Sequence, residues 1–229
     1  MYNAASPDEQ ALVEGAKELG WEFYSREADN VMLTYDRHNR YRYFQVLNVL
    51  EFNSTRKRMS VIVRNRQTGY IELYSKGADS IMEKLLKTGD REHDEFLQKT
   101  KDYIDSFSKE GLRTLMLTKK DISEREYTAW AEKYEKAERT MVNREETMMA
   151  VQAEIEQDMT LVGSTAIEDK LQDQVQDTIV SLRQAGIKVW VLTGDKVETA
   201  IQIGFSTGLL TESMNQHIVD GNDFATCAH

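Results

Sequence analysis

The sequence predicts an α+β fold, an antiparallel sheet flanked by helices, followed by a partial α/β segment. Three observations predict it. Between Trp21 and Ser75, five short runs rich in β-branched and aromatic residues are separated by turn residues. Around them lie stretches whose apolar residues recur three and four apart behind capping residues. Beyond Asp158 the pattern changes to strand, helix, strand, helix, the grammar of a parallel sheet.

The elements follow in order. Ser6 is placed to cap a first helix, with Pro7 at its first position and Asp8 and Glu9 at its positive end. Leu12, Ala16 and Leu19 keep helical spacing until Gly20. Strands are expected over Trp21–Tyr24, Val31–Tyr35, Tyr41–Leu50, Met59–Arg64 and Ile71–Ser75, with turns at His38-Asn39 and Gln67-Thr68-Gly69. A short helix is expected over Ser80–Leu86, and a longer one over His93–Lys109 with Phe96, Tyr103 and Phe107 on one face. Thr114–Leu117 reads as a strand. Ser123 with Glu126, and Asn143 with Glu146, form capping-box patterns before two acidic helices. In the first of these, Tyr127, Trp130, Tyr134, Ala137 and Met141 form a packing seam. A domain boundary is expected near Gln157, dividing residues 1–157 from a partial second domain, 158–229. The second domain opens on a strand at Thr160–Gly163. A helix over Gln172–Gln184, a buried strand over Ile187–Leu192 and a helix from Val197 to about Ser206 follow. Val219–Phe224 reads as the start of a further strand and loop.

The chain has 229 residues, 40% apolar and 30% charged, which suits a globular chain and excludes a disordered one. No apolar run approaches the roughly 18–20 residues that span a bilayer, and the start lacks the pattern of a signal peptide. A net charge of −10 argues against nucleic acid as a partner. One cysteine, Cys227, leaves no internal disulfide and no cysteine-rich metal site.

Against that acidic background the stretch Val46–Val63, VLNVLEFNSTRKRMSVIV, stands out. Two apolar β-branched flanks enclose Phe52–Arg58, which is too polar for a core and so forms a turn or strand edge at a surface. Phe52 beside Arg56, Lys57 and Arg58 suits a ligand with a flat ring at one end and a polyanion at the other, such as ATP. A hairpin with a solvated basic tip and a buried Phe52 fits the same pattern. Strand alternation places Lys57 opposite to Arg56 and Arg58, and these two arginines are expected to face solvent.

EFNSTRKRMSV resembles the adenine-binding stretch in the nucleotide-binding domain of type IV P-type ATPases, the phospholipid flippases. Ser6–Val13 resembles the SPDE opening of that family, Tyr74–Asp79 its KGA motif and Gly111–Leu115 its GLRTL motif. Ala166–Gln172 and Val191–Lys196 resemble pieces of the phosphorylation domain. The matches occur in family order over most of residues 1–208. Gln176 stands where the family often has proline.

The resemblance implies roles residue by residue. Phe52 stacks on adenine, and Glu9 lies near the adenine amino group; a plain helix-start carboxylate explains Glu9 equally well. Asn53 and Ser54 either bond the nucleotide or shape the turn. Lys76 acts as a point charge towards phosphate, Gly77 admits a close approach of ligand and backbone, and Lys57 and Arg113 are phosphate-side cations. Thr193 and Gly194 hold the transferring phosphate, Asp195 faces the nucleotide, and Asp169 orients the site from the hinge. An ordinary helix cap explains Thr193–Asp195 without a ligand.

The implied cofactors are ATP and the Mg2+ that accompanies it, with no dedicated metal cage. The implied partners are the remaining pump domains (actuator, rest of the phosphorylation domain, membrane helices) and an accessory subunit. Phospholipid is then the substrate of the parent alone, and the chain is a cytosolic piece of an integral membrane protein. The alternatives are a haloacid-dehalogenase-type phosphatase fragment and a non-catalytic regulatory module.

No DKTGT stretch, which carries the family's phosphorylated aspartate, occurs in this sequence. Asp220-Gly221-Asn222-Asp223 lies too close behind Thr193–Lys196 to be the family's later metal-binding stretch. The chain by itself is therefore expected neither to hydrolyse ATP nor to form an acyl phosphate. Incubation with γ-labelled ATP should leave no hydroxylamine-sensitive label on the protein.

Overall fold

The computed structural model describes residues 4, 6–27, 31–36, 38, 40–168, 172–193 and 197–218. They fall into two compact units, Met1–Phe107 with Leu112–Glu168, and Ser108–Gly111 with Asp169–His229.

The first unit is built on one seven-stranded antiparallel sheet in which each strand pairs with its neighbours in sequence. The strands are β1 (Glu22–Arg26), β2 (Val31–Tyr35), β3 (Tyr41–Asn53), β4 (Arg58–Asn65), β5 (Ile71–Gly77), β6 (Arg113–Ile122) and β7 (Thr160–Ile167). Helix α1 (Pro7–Glu18) is capped by Ser6, whose Oγ accepts from the Glu9 amide at 3.2 Å. It packs against both edge strands, β1 and β7. One face of the sheet carries Leu50, Ile62, Leu73 and Met116, all fully buried. Met82 of α2 (Asp79–Met82), Ile104 of α3 (Arg91–Lys109), Trp130 of α4 (Glu124–Glu138) and Ile155 of α5 (Arg144–Ile155) complete that core. Burying such side chains contributes roughly 1.5–3 kcal/mol each.

The α4–α5 seam forms as expected through most of its length. Trp130 lies 6.3 Å from Tyr127 and 4.8 Å from Tyr134. Its Nε1 donates to the Val151 carbonyl at 2.8 Å, and the Tyr127 hydroxyl donates to Asn48 on β3 at 2.8 Å. Met141 is 97% exposed and lies beyond the helix. Ser123 accepts from the Glu126 amide at 3.2 Å, so the first capping pattern works. The second does not. Asn143 has φ 52°, a left-handed backbone, and its side chain makes no capping bond; such a cap needs an extended backbone.

On α3 Tyr103 and Phe107 share a face as expected, their rings 6.2 Å apart, but Phe96 and Tyr103 are exposed, and the buried residues are His93, Thr100, Ile104 and Ser108. Two polar atoms of that inner face find partners: His93 Nε2 accepts from the Leu161 amide at 3.0 Å, and Thr100 donates to the Phe96 carbonyl at 2.9 Å. Thr160–Gly163, expected to open the second domain, belongs to β7, which pairs antiparallel with β6 through Ile167.

In the second unit, α6 (Val175–Gln184) and α7 (Val197–Ser206) are helical as expected. Arg183 Nη1 on α6 donates to the carbonyls of Gly208 at 2.7 Å and Leu209 at 3.2 Å. The expected strand at Ile187–Leu192 has no ladder among the described residues, and Trp190 and Leu192 are 81% and 98% exposed. Strand hydrogen bonds require a neighbour, and no described segment pairs here. Val219–Phe224 lies outside the described residues.

Asp36, 1% exposed, closes the β2–β3 hairpin. Burial alone would raise its carboxyl pKa. The backbone amides of Arg40 and His38 and the guanidinium groups of Arg42 and Arg40 outweigh that and lower it to about 2. A depressed folded-state value means that its stabilisation is complete above the ordinary carboxylate range, about 3.9. That stabilisation is lost as pH falls through about 2. Asp36→Asn should therefore melt earlier than wild type at pH 7, and the gap should close between about pH 4 and pH 2 in thermal scans.

Candidate functional site

The β3–β4 connection is shaped by Asn53. Its Oδ1 accepts from the Thr55 amide at 2.7 Å, and its carbonyl accepts from the Lys57 amide at 2.7 Å. This draws the loop tight enough that Lys57 adopts φ 51°. Asn53 therefore shapes the turn, one of the two roles the sequence left open. Ser54, Thr55 and Lys57 are exposed, and Phe52, at the end of β3, is 63% exposed. The hairpin with a buried Phe52 is excluded.

Arg56 and Arg58 do not face solvent. They are 6% and 7% exposed and converge on Glu156, which has no exposed surface. Arg56 Nη2 pairs with Glu156 Oε1, and Arg58 donates from Nε at 2.8 Å and pairs through Nη2 at 2.6 Å with Oε2. Ser60 donates to Oε1 at 2.5 Å. Alternation along β4 explains the reversal. Arg58, Ser60 and Ile62 share a side of the strand, and Ile62 is fully buried, so that side faces the core. Glu156 escaped the sequence reading because it directly follows an acidic helix, where a carboxylate is ordinarily exposed. The alternation pointing inwards from Ile62 was the available clue.

On the opposite face of the sheet lies a groove of about 360 Å³. Val49, Met59, Val61, Leu117 and Val162 make it apolar, Tyr74 lies along it, and Lys76 supplies a cation. Pairing sets Lys76 between Met59 and Leu117, and Gly77 between Arg58 and Met116. Asn53 is paired with Arg58 in the next ladder. Phe52, Ser54, Lys57, Lys76 and Gly77 thus gather at one end of the sheet, where β6 also begins at Arg113.

The first turn of α1 reaches the same end. Glu9 forms an ion pair with Lys76, and Asp8 lies 3.5 Å from Arg113 Nη1. Lys76 is only 22% exposed, so its charge is held close to the apolar groove and beside a carboxylate. Gly77 is explained by packing. A Cβ there would stand 2.6 Å from Arg58 Cβ and 2.7 Å from the Lys57 carbonyl oxygen. The close approach is between the β5 and β4 backbones.

Thr193 lies in the second unit, on an exposed segment without regular structure. Gly194, Asp195 and Asp169 lie outside the described residues. Among the described residues no group of three or more His, Cys, Asp or Glu side chains could hold a metal ion, and no helix is long and apolar enough to cross a membrane.

An antiparallel sheet presenting an apolar groove, an exposed aromatic and clustered cations defines a class. Residues 3–174 match the family model of the P-type ATPase cytoplasmic domain N, and the chain belongs to that family. Within it, the chain is similar to proteins with one kind of description. It is 47% identical over 219 residues to the phospholipid-transporting ATPase DRS2 of Saccharomyces cerevisiae, covering 96% of this chain and 16% of that protein. It is 46% identical over 229 residues to the phospholipid-transporting ATPase IC of Homo sapiens, covering 100% of this chain and 18% of that protein. It is also 44% identical over 230 residues to the probable phospholipid-transporting ATPase 11 of Arabidopsis thaliana, covering 96% of this chain and 18% of that protein. The chain thus spans 16–18% of the length of these relatives. Membership sets aside the dehalogenase-type phosphatase, and the described sheet, being antiparallel throughout, is unlike the parallel sheet that reading needs. P-type ATPases use ATP with Mg2+.

Because Gly77 is held by backbone proximity, Gly77→Ala should destabilise the chain by about 1–3 kcal/mol through overpacking. Denaturant melts without any nucleotide should show the full loss.

Proposed function

We propose that this chain is the ATP-binding part of a phospholipid-translocating P-type ATPase, and that the groove end of the sheet receives the nucleotide. The observation that carries the reading is the exposed Phe52 ring at the sheet end where Lys57, Lys76 and Arg113 collect. An aromatic with most of its surface in water is a standing cost that a stacked base removes. Val49, three residues earlier on the same strand, lines the apolar groove, which suits exclusion of water around a purine.

Lys57, on the exposed turn, suits the phosphate tail, and Arg113 offers a fork of donors to phosphate oxygens. Lys76 is half-buried and paired with Glu9. Its ammonium can turn to an incoming ligand only as that pair loosens, so it acts as an electrostatic floor more than as a free phosphate clamp. Mg2+, when bound with ATP, neutralises phosphate charge. Thr193, Gly194, Asp195 and Asp169 are assigned to the phosphoryl end by family order alone.

In the intact pump this domain would deliver the γ-phosphoryl group to an aspartate elsewhere. Hydrolysis of that acyl phosphate would drive lipid between leaflets, with the actuator, the membrane helices and an accessory subunit as partners. The Glu9–Lys76 and Asp8–Arg113 contacts favour one competing reading, a regulatory module whose cations are already satisfied. ATP titration separates the two.

If Phe52 stacks on adenine, Phe52→Ala removes about 1–3 kcal/mol, or roughly 5- to 150-fold in affinity. The loss should be similar for ATP, ADP and AMP, which share the ring, and the melting temperature should change little because the side chain is 63% exposed. Lys57→Ala should weaken ATP more than AMP. Calorimetric titration of the three nucleotides checks both. A Phe52→Ala protein with wild-type affinities would overturn the assignment.

A further inference from the structure

We propose that Glu156 is a positioning residue for the nucleotide turn, setting Phe52 and Lys57 through Arg56 and Arg58. The inference rests on the nucleotide-binding reading above. Ser54, Thr55 and Lys57 are all exposed, and the Lys57 carbonyl accepts from the Ala78 amide at 3.1 Å. The turn's other support comes from beneath. Arg56 pairs with Glu156 through Nη2 and donates from Nη1 to the Glu51 carbonyl at 3.2 Å, the peptide group adjoining Phe52. Arg58 grips the other carboxylate oxygen and donates from Nη1 to the Arg56 carbonyl at 3.3 Å. Both sides of the loop are thereby tied to one carboxylate.

Helix α5 supplies a second hold. Glu145, in its first turn, accepts from Asn53 Nδ2 at 3.1 Å, while Glu156 directly follows its last residue. A helix of 12 residues is about 18 Å long. The turn is gripped by groups at both ends of a rigid rod.

Stability alone is a poor reason for this arrangement. Buried ion pairs recover their desolvation cost only with full hydrogen bonding, and Arg56 Nε is buried without a partner. What the guanidinium fork adds over apolar packing is direction, fixing angle as well as distance.

The test titrates the full chain, E156Q and R56K with AMP and with MgATP, at a temperature where circular dichroism shows each protein folded. E156Q should weaken AMP on the order of tenfold if most of the stacking contact is lost, and MgATP by more, because Lys57 sits on the same turn. R56K keeps the charge on Glu156 but loses the second donor to Glu51. It should show a smaller loss, again larger for MgATP than for AMP, and it carries the comparison if E156Q fails to fold. Amide exchange at Thr55–Lys57 should quicken in both variants. Lowered melting temperatures with unchanged affinities, or unchanged exchange at the turn, overturn the inference while leaving nucleotide binding intact. A wild-type chain that binds neither nucleotide overturns the nucleotide-binding reading and this inference with it.

Discussion

Glu156 has no exposed surface, yet it carries a carboxylate shared by two guanidinium groups and a hydroxyl. Moving such an ion out of water costs several kcal/mol, and only near-complete pairing recovers it. The surroundings meet that demand by geometry. Arg58 and Ser60 are alternate residues of one strand, Arg56 reaches in from the adjoining turn, and Ser75 on the next strand lies 2.8 Å from Ser60 Oγ. Arg58, Ser60 and Ser75 are fixed by the sheet register. The ion cluster and the sheet therefore constrain one another: a slip of one residue would turn both β4 partners of the carboxylate to the opposite face.

The two faces of β4 divide the labour of this end of the molecule. Inward, Arg58, Ser60 and Ile62 join the ion cluster to the hydrophobic core. Outward, Met59 and Val61 line the groove together with Tyr74 and Lys76 of β5. A strand with period two serves both without conflict. The Gly77 contact belongs to the same arrangement, since it lets β5 come close to β4 where the turn leaves the sheet.

Much of the fold was legible in the sequence because the determinants were local. The strand runs, the Ser6 and Ser123 caps and the seam at Tyr127, Trp130 and Tyr134 depend on neighbours a few residues away. What was not legible depends on distant partners. Nothing near His93 marks it as the inward residue of α3, because its partner is the Leu161 amide 68 residues later. The sides of Arg56 and Arg58 were inverted for the same reason, since net charge favours solvent until a buried carboxylate is in view. Thr160–Gly163 was assigned by the elements after it, whereas the strand it begins is hydrogen-bonded to the strand before it. For the candidate site, the residue types, their order and the surface turn that carries them were readable, while the pattern fitted an exposed and a buried Phe52 alike. The Glu9–Lys76 pair and the packing role of Gly77 were not, since both are contacts between elements.

The order in which neighbours join this sheet bears on how the chain acquires its structure. Every strand pairs with the next in sequence, so the meander from β1 to β5 closes through short loops and suits rapid zippering as the polypeptide emerges. The anchor of its central turn arrives late: Glu156 lies 100 residues after Arg56 and 98 after Arg58. At roughly 5–20 residues per second, ribosomal synthesis separates them by about 5–20 s. Through that interval Arg56 of the turn and Arg58 of β4 have been made and the carboxylate that pairs with both has not. The turn bearing Phe52 is thus among the first parts of the sheet to be made and among the last to be locked.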